Sequence, residues 1–146
     1  MMSNEKDILL KAWELTQSVA KNNAETAWKV RMWGITIWGA LLSYAFTNHS
    51  TIIIAISIVI LIPIFIFECG IRIIEYKMIE RSHEIENSLN TFLEGSELHL
   101  PDEGIKINIT ETSFVDFRNE IFLCKRWLIW GPYCCLAVVS LFAIVF

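Results

Sequence analysis

Residues 50–93 read STIIIAISIVILIPIFIFECGIRIIEYKMIERSHEIENSLNTFL, and this stretch decides the fold. From Thr51 to Phe67 nothing is charged. With the flank up to Ile71, the run reaches the roughly 20 residues needed to cross a ~30 Å hydrocarbon core. Beyond it the all-round hydrophobicity stops, yet apolar residues keep helical spacing at Ile71, Ile74, Met78, Ile85, Leu89 and Phe92. No Gly-Pro break separates the halves, so the pattern predicts one continuous helix, half in lipid and half a water-exposed lever.

Composition agrees with a bilayer as solvent. The 146 residues are 54% hydrophobic, with a mean hydropathy of +0.47, too apolar for a soluble domain of this size. The net charge of -4 argues against a nucleic-acid surface, because phosphate binding needs a basic stripe and every basic segment here is diluted by Glu or Asp. The first long apolar stretch begins near Met32, after a segment carrying both signs of charge, which does not fit a secretory signal. Of the four cysteines, Cys134 and Cys135 are adjacent inside an apolar run. Cys69 and Cys124 flank spans on the reducing side, so free thiols are expected.

Working outward from the central stretch, residues 1–31 form a cytoplasmic amphipathic helix. Ile8, Ala12, Leu15 and Val19 share one face, with Leu9, Trp13, Thr16 and Ala20 beside them. Trp28, Lys29, Arg31 and Trp33 make the cationic and aromatic collar of a membrane interface, the long basic side chains snorkelling outward. Residues 32–71 form a transmembrane hairpin with spans at about 32–47 and 51–71, because Asn48, His49 and Ser50 are too few to separate them. Residues 72–126 hold a cytoplasmic helix, a loop and a pre-membrane helix. In that loop Leu98 to Leu100 and Ile105 to Ile109 alternate around Pro101-Asp-Glu-Gly104, which predicts a small β-hairpin. Residues 127–146 are a third span. The fold class expected is therefore an all-α integral membrane protein with three transmembrane helices, a cytoplasmic helical stalk and a hairpin-containing loop.

Basic residues set the topology. Every Lys and Arg lies before the first span, between the second and third, or at their edges. The N-terminus and the long loop are thus expected in the cytoplasm and the C-terminus outside, in a multi-pass protein of a cell inner membrane.

Glu68 and Arg72 are the candidate pore or pairing residues. Four positions apart at the inner end of the second span, they suit an intrahelical ion pair that lowers the cost of a carboxylate near hydrocarbon, and equally a charge lining an ion path. Gly39 and Ser43 have the spacing that lets helix backbones approach in lipid, either within the hairpin or between copies. In the stalk, the Leu9, Trp13 face or the adjacent Leu15 face is expected to pack antiparallel on Met78, Ile85 and Leu89, with Met78 near Ala24 to Ala27. Pro63 and Pro132 are places where a helix can bend. Glu80-Arg-Ser-His83 has the spacing of a di-metal ligand pair, but one copy among charged neighbours reads as a solvated face. No phosphate loop, nucleophile–base constellation or paired-cysteine zinc pattern is present in the sequence, so neither an enzyme nor a cofactor is expected.

The order of a charged helix carrying Trp13, a collar Trp28-Lys-Val-Arg31 with Trp33-Gly34, a very short outer turn, and a span running into Ile74-Glu75-Tyr76 resembles the small membrane effectors of bacterial anti-phage systems of the SLATT type. The resemblance covers roughly the first 90 residues as an architecture, without an invariant motif, and the third span departs from a plain two-span pattern. It implies an oligomeric effector that perturbs or permeabilises the membrane when triggered, with the lipid bilayer, further copies of itself and a cytoplasmic protein or small molecule as partners. A different reading of the same architecture is a passive anchor or assembly subunit that recruits a soluble cytoplasmic protein.

Overall fold

The computed structural model describes residues 2–94 and 126–145, with side chains over 6–94 and 126–144. They form three α-helices, α1 (Met2–Thr47), α2 (Thr51–Leu93) and α3 (Trp127–Val145). α2 passes unbroken from its apolar into its charged half and carries Pro63 inside it.

The turn between α1 and α2 closes through a pair of backbone bonds, with Asn48 Nδ2 donating to Tyr44 O at 2.9 Å beside them. Ser50 N–H donates to Ala45 O at 3.0 Å and His49 N–H to Phe46 O at 3.4 Å, the paired bonds of a Schellman cap that satisfy carbonyls left over at a helix C-terminus. The cap needs a left-handed residue, and His49 supplies it at φ 49°. Ser50 O then accepts from Ile53 and Ile54 N–H and starts α2. Three residues thus reverse the chain.

The molecule divides into two compact units. One holds the chain up to Ala24 together with the part of α2 from Ile74; the other holds Glu25–Ile73 together with α3. In the first, Leu9, Ala12 and Ile85 form a buried cluster with Trp13 and Leu89 packed on it, and Gln17 Nε2 donates to Ser82 Oγ at 2.6 Å. Leu9, Ala12, Thr16 and Ala20 on α1, and Met78, Ser82 and Ile85 on α2, are buried at intervals of three and four, the seam of two helices packed nearly side by side. Thr16 is tolerated in that seam because its hydroxyl donates to Trp13 O at 2.8 Å. A one-for-one antiparallel register from Gln17 and Ser82 sets Met78 opposite Lys21, a turn short of Ala24 to Ala27.

In the second unit α1 and α2 are again antiparallel, with Arg31 against Glu68 and Gly34 against Ile64. The seam on α1 is built from small residues, Ala27, Gly34 and Ala45. A Cβ at Gly34 would lie 2.7 Å from Ile64 Cγ2, so the absence of a side chain there is what lets the helices approach this closely.

The expectation of three spans and a β-hairpin is corrected. Among the described residues two helices are long and apolar enough to cross a membrane, Thr51–Leu93 and Trp127–Ile144, and α1 is not one of them. Its apolar part, 32–47, is 16 residues long and is diluted by Trp33, Gly34, Trp38, Gly39, Ser43 and Tyr44, with Arg31 at its edge. No strand occurs among the described residues, and the predicted hairpin over 98–109 and pre-membrane helix over 113–125 lie outside them.

Little of either spanning candidate is covered within the chain. Only 28% and 17% of their apolar windows are buried, and Ile52, Val59, Phe67, Leu128 and Phe142 are exposed. Apolar surface on this scale needs apolar surroundings, and a membrane supplies them.

Candidate functional site

Glu68 is wholly buried on α2, in a helix segment whose neighbours are hydrocarbon. A carboxylate in such a place persists only when it is paired and hydrogen-bonded, and three helices converge to do that. From α1, Arg31 offers a two-pronged guanidinium, Nη2 to Oε1 at 2.5 Å and Nε to Oε2 at 3.1 Å. From α3, Tyr133 donates its hydroxyl to Oε2 at 2.6 Å. From α2 itself, Arg72 Nε lies 3.7 Å from Oε1, one turn on.

The fork is the strong geometry for a guanidinium and a carboxylate, since two parallel charge-assisted bonds fix orientation as well as distance. Arg31 is held besides by a longer contact from Nη2 to Ile129 O at 3.4 Å and by the Trp28 ring, whose centroid is 5.9 Å from its Cζ. Tyr133 is seated edge-on against Phe65, with ring centroids 5.2 Å apart. A second polar tie joins α1 to α3 farther along, where Trp38 Nε1 donates to Ser140 Oγ at 2.8 Å and Ser140 donates to its own backbone at Leu136 O.

Charge in this unit is polarised along its length. Its described Lys, Arg, Asp and Glu residues are Glu25, Lys29, Arg31, Glu68, Arg72 and Arg126, all at the end where the apolar segments begin or finish. Between them and the Asn48–Ser50 turn no such residue occurs. That is the distribution of a bundle with one end at a headgroup layer.

Beside the junction α2 and α3 leave an apolar groove of about 240 Å³, lined by Leu61, Ile62 and Phe65 from one and Trp130, Cys134 and Ala137 from the other, with Ile58 and Tyr133 completing it.

No family model matches the chain, and no curated protein or solved structure matches it. Function has to be argued from this geometry.

Of the residues singled out from the sequence, Glu68 and Arg72 lie in the junction, with Arg72 the longer-range of Glu68's two basic partners. Trp13, Ile85 and Leu89 meet in the first unit, where Met78 is buried. Gly39 and Ser43 do not serve the hairpin's close approach. A Cβ at Gly39 would meet nothing within 4 Å and Ser43 is exposed, while Gly34 makes the contact. His83 is exposed and lies 3.5 Å from Glu86.

Arg31 and Tyr133 are the residues that sequence reasoning misses, Arg31 because it reads as part of the interfacial collar. Arg31 turns inward instead, with 8% of its surface exposed, because a buried acceptor faces it. A signal for it exists: folding the chain back on itself at Asn48–Ser50 brings position 31 opposite position 68. No comparable signal exists for Tyr133, because α3 is apolar on every side.

Proposed function

We propose that the chain is an oligomeric effector of a bacterial inner membrane that perturbs or permeabilises the bilayer when a cytoplasmic protein or small molecule acts on its polar helices, as the SLATT-type resemblance implies for anti-phage defence. The basic residues between α2 and α3 put that segment on the cytoplasmic side, with the charged half of α2, and the C-terminal end of α3 on the other. The observation that carries the reading is the Arg31–Glu68–Tyr133 junction. It ties three helices together through one buried carboxylate. A buried ion pair is a poor source of net stability and a good device for holding one arrangement against another. The open face around Gly39 and Ser43 supports contact with further copies.

A membrane-potential dye in cells expressing the chain with its neighbouring gene products tests this. Depolarisation that depends on the trigger supports it, and unchanged potential and viability under every condition refutes it.

The second reading, a non-enzymatic anchor or assembly subunit, is favoured by three of the four polar side chains that could line a pore, Thr36, Ser43, Ser57 and Glu68, of which Ser43 stays exposed. Ser57 is buried and donates to Ile54 O at 2.7 Å, Glu68 is neutralised within the chain, and Thr36 returns its hydroxyl to Met32 O at 2.9 Å. Purified protein that releases no dye from liposomes yet retains a soluble partner on pull-down decides for the anchor.

A further inference from the structure

We infer that the α2–α3 groove is a seat for one acyl chain of an anionic bilayer phospholipid, with the headgroup at the Trp130 end; this rests on the membrane reading of α2 and α3. The lining selects the occupant. Tyr133 has committed its hydroxyl to Glu68, and the Trp130 Nε1, which has no partner among the described residues, is buried out of a ligand's reach, so hydrocarbon is what fits the lining. Its size suits a single chain. At ~30 Å³ per water-sized group, 240 Å³ takes roughly eight such groups, and Ile58 to Phe65 runs roughly 10 Å along α2 at 1.5 Å per residue.

Charge supplies the orientation and the headgroup. At the Trp130 end, Lys29, Arg31, Arg72 and Arg126 outnumber Glu25 and Glu68 among the described residues of this unit, and Arg126 immediately precedes α3, four positions before Trp130. The Ala137 end has no Lys, Arg, Asp or Glu among the described residues. A molecule with one anionic end and one apolar tail matches that gradient; a second copy packed in the groove would gain nothing from it.

The test uses the full chain in phosphatidylcholine nanodiscs containing a minor fraction of phosphatidylglycerol with a diazirine at mid-chain. After irradiation, adducts should concentrate on 58–65 and 130–137 rather than on the equally exposed 37–44 face of α1. They should exceed those from the same probe on phosphatidylcholine about fivefold, the worth of one basic contact at an anionic surface. Ala137→Trp fills the groove and should abolish these adducts. Arg126→Gln leaves the groove intact and should bring the headgroup ratio toward one, which keeps the test decisive if the tryptophan variant does not fold. Adducts spread evenly over all exposed faces, no headgroup preference, or copy-to-copy cross-links through the groove would overturn the inference. Release of the protein by alkaline carbonate would remove the membrane reading as well, whereas integral protein without groove labelling removes the lipid seat alone.

Discussion

Removing one member of the Arg31–Glu68 pair should cost far more than removing both. Arg31 is 8% exposed and Glu68 0%, so either, left alone, is a charge without adequate water or counter-charge, a loss of about 3–5 kcal/mol. The two single variants need not match. In Arg31→Met, Glu68 keeps the Tyr133 hydroxyl and Arg72 at 3.7 Å, which places this variant at the lower end of the range. In Glu68→Leu, Arg31 keeps only a long contact to Ile129 O and the Trp28 ring. The double variant Arg31→Met with Glu68→Leu fills the space with apolar groups and should sit near wild type, as buried pairs replaced by hydrophobic residues generally do. Tyr133→Phe removes a single hydrogen bond, worth about 0.6 to 1.7 kcal/mol inside a membrane, and should rank well below either charge deletion. Unfolding in mixed micelles by titration with sodium dodecyl sulfate, followed by tryptophan fluorescence, measures all four. Single effects below about 1 kcal/mol that add in the double variant would mean the pair is solvated and independent, and the junction would lose its role as the joint of three helices.

Gly34→Ala should destabilise by about 1–3 kcal/mol, because its Cβ would press on Ile64 Cγ2 at 2.7 Å. Gly39→Ala meets nothing and should be neutral or gain up to about 1 kcal/mol from helix propensity; thermal melts of the two detergent-solubilised variants give the order, and equal losses would contradict it. At the turn, His49→Val should cost about 1–2 kcal/mol for a β-branched residue at φ 49°, whereas His49→Gly should be tolerated or stabilising; equal melting temperatures would show that the left-handed cap is not populated. In a cysteine-free background, cysteines at Trp13 and Ile85 should link on oxidation, while Trp13 with Met78 should not. Seven residues along α2 are about 10 Å, beyond the ~7 Å Cα separation that a disulfide spans, and preferential linkage of the second pair would refute the register.

The helices were legible because their apolar residues recur at three and four, and α2 could be read through its change of environment because apolar residues keep helical spacing beyond the uncharged run, at Ile71, Ile74, Met78, Ile85 and Leu89. What hydropathy did not settle was the rank of α1. Placed between two polar stretches, 32–47 reads as a span, yet Gly34, Gly39, Ser43 and the tryptophans withhold the apolarity that the other two helices have. The same small residues explain why: a helix that packs closely on a neighbour needs absent side chains more than it needs greasy ones. The small-residue spacing of Gly39 and Ser43 left open whether they serve the hairpin or another copy, because spacing along one helix does not say what stands across from it, and within the hairpin it is Gly34 that stands across from Ile64. Glu68 likewise was matched to its neighbour on the same helix, Arg72, by the local four-residue rule. The partner that grips it is 37 positions away, and only the antiparallel register connects them. In a hairpin whose turn is three residues long, that register follows once the turn is recognised, so pairing each buried charge across the turn before pairing it along the helix would have found Arg31. The rotation of α3 is different in kind. Its apolar surface runs all round, so no periodicity marks an inner face, and Tyr133 and Ser140 become visible as inward-facing only when Glu68 and Trp38 are seen to need a donor and an acceptor.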